Sequence, residues 1–411
     1  MKRKEKSNEI TVNEKHVPLR ILGFVLALVL AVGSFTFGVT RIGHKEEGMY
    51  DLTAAADAEL PLYQSGLHAR FLFRGESGQI KLALGQADKV YTEALNRNVK
   101  LLDARQEYDG VVNLATLNAR VNQDVSVSPA LYAVLTDAWE KTRAGEGYSL
   151  FAGPLCAEWE SILILTEPED FDPLRNENEA ERLRLLADWA GQIDKLRLVE
   201  VDAQQCILRV EAPEDYLRFL EEMELEPVVL DLNLLREAYL LELTGKELEE
   251  QGLNEGYLST DSGLILSLSG QRTGEYVLYG YLNQMPQPAA TARVEPGSAY
   301  SQFTAFPLIT GVQTEYYAIQ EAGRTHLRSP WLPADGLDRE LLLSSAVLRT
   351  DGALADACYE NIRLRSAGSA GEIETMAADF DGAVAWMLQG DESETVFRNA
   401  QAEASFVPAE K

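Results

Sequence analysis

His326 opens the run His-Leu-Arg-Ser-Pro-Trp-Leu-Pro, which ends at Pro333. An imidazole that titrates near neutrality is suited to deprotonating a hydroxyl nucleophile, which makes His326 a candidate general base. A lone histidine is more often structural, so the plain reading stands beside the chemical one. Further on, Asp356 and Glu360 stand four apart in Ala-Asp-Ala-Cys-Tyr-Glu, near the start of a helix. That spacing puts both carboxylates on one helix face, and carboxylates are good ligands for a hard cation. A solvated acidic face is the alternative in a chain with 65 Asp and Glu against 37 Lys and Arg. The three cysteines, Cys156, Cys206 and Cys358, are far apart and form no Cys-x-x-Cys. They read as buried, quiet thiols, not as a zinc site or a disulfide framework.

Several elements must position these groups. In Leu117–Trp159 a polar asparagine segment leads into Ser128-Pro129, a helix-opening pair. Serine at the N-cap accepts from an orphan amide, and proline at the first helical position gives up nothing. Leu131, Leu135, Ala138 and Trp139 share a face at helical spacing. The turn Gly145-Glu146-Gly147 ends that helix, and Gly153-Pro154-Leu155 follows. Helices are also expected at 84–102, 180–193, 213–223 and 234–251. Residues 195–211 read as a hairpin turning at Asp202–Gln205. Cys206, Leu208 and Val210 share a face of its second arm; the broken alternation of the first is read either as a bulge or as an arm covered on both faces. Strands are expected at 228–232, 255–260, 263–267, 276–282 and 291–294. Strand pairs interrupted by helices define a mixed α/β fold of α+β layers.

In chain order, Tyr108, Asn118, Gly153-Pro154-Leu155, Asp231, Gly263, Gly311, His326, Pro330 and Asp356 form a collinear set. This set resembles the ApbE-type flavin transferases, the FAD:protein FMN transferases, over residues 68–397. The resemblance implies an ApbE-like fold in which Tyr108, Asn118, Gly153, Asp231, Gly263, Gly311 and His326 line a flavin site. It implies FAD and Mg²⁺ as cofactors. Asp356, with Glu360 in the place of the family's threonine, would hold the metal that bridges the FAD diphosphate. His326 would activate an acceptor Ser or Thr on an exterior redox protein. Each block matches only in part. The family's Asp-Leu-Gly-Gly-Ile-Ala-Lys-Gly-Tyr is here Asp231-Leu232-Asn233-Leu234-Leu235-Arg236-Glu237-Ala238-Tyr239. Both glycines are gone, and an anion stands for the lysine near a diphosphate, which reverses the local interaction. Ser329 replaces the aspartate after His326, and Leu332-Pro333 replaces Thr-Gly. Gln106, Val112 and Asn113 stand where the family has serines and a glutamate. The expectation is a divergent relative with weak or no transferase activity that binds flavin or a flavoprotein partner. An active Mg²⁺-dependent transferase is the alternative, and an unrelated exterior interaction domain is a third reading.

Lys2, Arg3, Lys4, Lys6, Lys15 and Arg20 precede an uncharged run, Ile21–Thr40, closed by Arg41. About twenty apolar residues span a hydrocarbon core, and the basic flank stays cytoplasmic. A cleavable signal peptide is the rival reading, but the run is long for one and no small-x-small cleavage site follows. The expected organisation is a basic segment 1–20, a signal anchor 21–40, a tether 41–66, the ApbE-like domain 67–400 and a polar tail 401–411. The body is therefore expected outside the cell membrane. A net charge of −28 argues against nucleic acid and against anionic lipid surfaces as partners of that body.

Overall fold

The computed structural model describes residues 45–55, 60, 66–163, 171–268, 274–282, 285–294, 302–306, 317–321, 324–328, 335–337, 341–349, 352–389 and 395–408. The expected anchor at 21–40, Gly311 and Pro330 lie outside them. Among the described residues no helix is long and apolar enough to cross a membrane. The chain divides into a small unit, residues up to Gly48 with Phe73–Ala83, and a large unit, Met49–Leu72 with everything from Leu84 onward. In the small unit Lys45 N donates to Ser77 Oγ at 2.9 Å.

Strands β1 (Gly48–Asp51) and β2 (Leu67–Phe73) begin the main sheet. In β2 every second side chain is buried, the signature of a half-covered antiparallel strand. Part of the expected tether is therefore folded: Leu52 N donates to Ala69 O at 2.8 Å, and Leu52 and Leu60 are buried. Helix α1 (Ser77–Leu101) and the short α2 (Leu114–Ala119) follow, then β3 (Asp124–Ser126) and α3 (Pro129–Ala144). Ser128 Oγ accepts from Leu131 N at 3.2 Å, and Gly145 closes α3 at φ +74°, so both caps act as the sequence predicts.

Helices α4 (Gly153–Leu163) and α5 (Glu177–Ala190) pack through Leu155, Trp159, Leu183 and Leu186. The expected hairpin is β4 (Arg197–Asp202) and β5 (Ile207–Glu211), with a register shift between Glu200 and Asp202. The bulge falls where alternation fails, and Val201 is left exposed. Cys206 departs from expectation: it sits in the turn at φ +50° instead of on the strand face. With β3, this hairpin makes a three-stranded antiparallel sheet. Helix α6 (Glu214–Glu222) starts after Pro213.

Residues 228–232 form no strand, contrary to expectation; the segment is held by a side chain, as described below. A 3-10 turn, Asn233–Leu235, leads into α7 (Arg236–Glu250). The strands β6 (Gly256–Thr260), β7 (Leu264–Leu268), β8 (Gly274–Leu282), β9 (Met285–Val294), β10 (Gln302–Phe306), β11 (Tyr317–Glu321), β12 (Arg324–Arg328) and β13 (Leu342–Arg349) come next. Helices α8 (Leu354–Ser366) and α9 (Ala370–Asp379), then β14 (Ala383–Leu388) and β15 (Phe397–Arg398), complete the main sheet. Its order is β1-β2-β6-β7-β10-β13-β14-β15. Helix α7 packs on β6 and β7, helix α8 on β10 and β13, and the two helices touch each other.

The expected polar tail is also folded. Helix α10 (Ala400–Ser405) and β16 (Phe406–Pro408) pair the chain end with β9. Ala402 and Phe406 are buried against Ala385 and Met387, so two apolar residues in a polar stretch fix the end of the domain. The observed class is mixed α and β in layers, with antiparallel strands in every pairing described.

Candidate functional site

Asn118, Gly153 and Asp231 come together around residues 228–231. Asn118 Nδ2 donates to Leu230 O at 3.0 Å, and its Oδ1 accepts from Leu230 N at 2.7 Å. One side-chain amide thus supplies the pair of bonds that a neighbouring strand would have made, which is why this apolar segment needs no sheet. Asn118 Nδ2 also donates to Ala104 O at 2.9 Å. Tyr108 donates its hydroxyl to Asp103 Oδ2 at 2.7 Å within the same loop. A Cβ on Gly153 would stand 2.7 Å from Val228 O and 3.1 Å from Asp231 Cβ. Glycine here admits the chain's own backbone. Asp231 N donates to Leu150 O at 3.0 Å, and its Oδ1 accepts from Asn233 N at 2.7 Å. Asn118, Gly153 and Asp231 thus meet at one connection, while Tyr108 is bonded within its own loop.

The second cluster lies where α3, α7 and α8 meet. Lys141 Nζ donates to both oxygens of Asp137, at 2.7 and 2.8 Å, and stands 2.8 Å from Asp356 Oδ1. Its side chain is 8% exposed, so this is a buried ammonium between two carboxylates. Desolvation works to lower its pKa, but the bonds and charges of Asp137 and Asp356 outweigh it and hold the ammonium above its ordinary value. Burial acts to raise the Asp356 pKa, yet Lys141 and Arg349 together bring it below the usual carboxylate value. Arg349 Nη1 stands 3.1 Å from Asp356 Oδ2. Tyr239 donates to Asp137 Oδ2 at 2.6 Å, and Tyr359 donates to Lys141 O at 3.2 Å.

Glu360 shares the helix with Asp356 but turns to another cation. Arg363 Nη1 donates to Glu360 Oε2 at 2.7 Å, and Arg363 also pairs with Glu146. Burial pushes the Glu360 pKa up against the pull of Arg363. Among the described residues, no group of three or more His, Cys, Asp or Glu side chains is arranged to hold a metal. Mg²⁺ does not fit the pair as it stands: Asp356 already faces an ammonium and a guanidinium, and Glu360 faces a guanidinium.

Glu237, in the position of the family's lysine, accepts from Ser262 Oγ, which also lies 2.6 Å from Thr260 Oγ1. Desolvation raises its pKa, while Ser262 and Thr260 oppose the rise. The carboxylate therefore closes the Thr260–Gly263 turn, in which Gly263 adopts φ +101°. The neighbouring Arg236 guanidinium also opposes the rise, and no chemical step through FAD follows from these residues. His326 lies on β12, paired with Ile319 of β11. The structure thus gathers Asn118, Gly153 and Asp231 in one place, Asp356 and Glu360 on one helix, and the Thr260–Gly263 turn beside Glu237.

Sequence reasoning missed Lys141, Asp137 and Arg349. A signal for the first was present: Lys141 falls among the buried positions 131, 134, 135, 138 and 142 of α3, with Asp137 one turn before it. A lysine on an apolar stripe needs a buried anion.

The fold is similar to that of solved flavin transferases. The ApbE protein of Thermotoga maritima superposes with a TM-score of 0.58 at 13% identity, over 87% of this chain and 99% of that one. The flavin transferase ApbE of Vibrio cholerae gives 0.55 at 12% identity, over 87% and 99%. The Pseudomonas stutzeri flavinyl transferase ApbE, in its apo form, gives 0.50 at 12% identity, over 89% and 99%. No family model matches the sequence. No curated protein matches it either. The class shown is an ApbE-like, mixed α and β fold.

Proposed function

We propose that this protein is a membrane-anchored, extracytoplasmic relative of the flavin transferases that binds without transferring. Its partner would be an exterior flavoprotein or a membrane redox complex, engaged by the ApbE-like domain of residues 67–400. One observation carries the reading: Asp356, the residue expected to hold Mg²⁺, is bonded to Lys141 at 2.8 Å and to Arg349 at 3.1 Å. Glu237 supports it, because an anion at that position disfavours a diphosphate. The uncharged run from Ile21 to Thr40 behind a basic segment supports the anchor and its orientation.

The test is an FMN-transfer assay on the full-length protein in detergent. FAD, Mg²⁺ and a Thr-containing acceptor domain modified by an active ApbE would be supplied, and the acceptor's mass would be read. An unmodified acceptor is the expected result. An FMN adduct that requires His326 would instead establish an active transferase with His326 as base.

A further inference from the structure

We propose that the Lys141 ammonium is a tethered cation that fills the space between Asp137 and Asp356 and so excludes a divalent metal from it. Lys141 Nζ lies 2.7 and 2.8 Å from the Asp137 oxygens and 2.8 Å from Asp356 Oδ1. These are the lengths of charge-assisted hydrogen bonds, and the carboxylates come from two helices, α3 and α8. The cage continues outward. Arg349 takes the second Asp356 oxygen at 3.1 Å, Tyr239 donates to Asp137 at 2.6 Å, and Lys141 Nζ lies 6.0 Å from the centre of the Tyr359 ring.

An ammonium in this place offers the pair one fixed positive charge. A divalent ion would have to displace it from between the two carboxylates, and the lysine side chain is only 8% exposed. Mg²⁺ also sheds water reluctantly and demands octahedral oxygen geometry, which a cage containing a guanidinium does not supply. Removing the ammonium while keeping the aspartates would leave two carboxylates facing one space, and that space should then attract a divalent cation.

The inference concerns the cation alone, so it can be separated from the proposed function. Transfer of FMN in the presence of EDTA would overturn the non-catalytic reading and leave the tethered cation standing.

The experiment uses Mn²⁺ as the probe, on the full-length protein in detergent. Binding is followed by loss of the free-Mn²⁺ paramagnetic signal and by thermal stability with Mn²⁺ or EDTA. The wild type should show no Mn²⁺ binding that Asp356→Asn removes. Lys141→Met and Lys141→Ala should bind Mn²⁺ at least about tenfold more tightly than the wild type, and adding Asp356→Asn should remove the gain. If the Lys141 variants fold only when Mn²⁺ is present, that rescue is also the expected behaviour. Four results would overturn the proposal: wild-type Mn²⁺ binding that Asp356→Asn abolishes, a folded Lys141→Met no tighter than wild type, a gain that survives Asp356→Asn, or Lys141 variants that stay unfolded with and without Mn²⁺.

Discussion

Three asparagines do the work of missing strands in this molecule. Asn118 brackets Leu230 through both its amide atoms, at 3.0 and 2.7 Å. Asn122 does the same for Ala212, at 2.9 and 3.1 Å. Asn399 accepts from Val384 N at 3.0 Å and donates to Ala377 O and Gly382 O. Replacing Asn118 by alanine would leave the Leu230 amide and carbonyl without partners. We expect Asn118→Ala to cost about 2 to 3 kcal/mol, measured by urea denaturation. Gly153→Ala should cost about 1 to 3 kcal/mol in the same measurement, because its Cβ meets Val228 O at 2.7 Å. If either variant is as stable as the wild type, the segment 228–231 is not held as described. Residue types alone could not separate these roles. Asn118 and Gly153 suit a ligand site and an internal clamp equally, and the partner of Asn118 lies 112 positions away. Lys141 was passed over although its place on the apolar stripe of α3, with Asp137 one turn before it, carried a signal.

At the scale of elements, local chemistry was readable and long-range substitution was not. The Ser128-Pro129 start, the Gly145 stop and the β4 bulge follow from caps and alternation within a few residues. The Val228–Leu232 run looked like a strand because it is apolar, but its backbone bonds come from Asn118 and other chain segments. The chain end looked polar, yet Ala402 and Phe406 are buried and anchor it to β9 and the main sheet.

The junction of α7 and α8 gives an element-scale prediction. Glu242 on α7 accepts from Ala355 N, at the start of α8, at 2.9 Å. Its pKa is pushed up to about 7 from an ordinary 4.5, first by desolvation and then by Asp137 and Asp356, against the amides of Ala355 and Leu354. A carboxyl whose folded pKa is raised contributes stability that is complete below about 4.5 and is lost as pH climbs through about 7. The protein should therefore lose about 2 to 3 kcal/mol from this group between pH 4.5 and pH 7.5. Denaturation across that range should show the fall in the wild type and flatten it in Glu242→Gln. A parallel slope in both proteins would remove Glu242 as its source.

For the molecule as a whole, the order of blocks in the sequence pointed to the observed class of fold, and similarity to the Thermotoga maritima protein extends over 87% of the chain. Asn118, Gly153 and Asp231 hold backbone together, while the acidic groups Glu237 and Asp356 are taken up by internal bonds. Glu237 closes the Thr260–Gly263 turn, and Asp356 is paired with Lys141 and Arg349. Breaking the latter pairing should be felt globally. Lys141→Ala should cost about 2 kcal/mol in a metal-free buffer, less than a fully buried pair because Asp137 and Asp356 retain 41% and 38% exposure. Thermal melts in EDTA would check this, and an unchanged midpoint would contradict it.

The most direct measurement is a titration of FAD into the full-length protein, followed by flavin fluorescence, once with Mg²⁺ and once with EDTA. The two curves should coincide, with no Mg²⁺-dependent saturable binding, because the position expected to hold the metal is occupied by the protein's own cations. Saturable binding that appears with Mg²⁺, disappears with EDTA and is lost in Asp356→Asn would contradict the account.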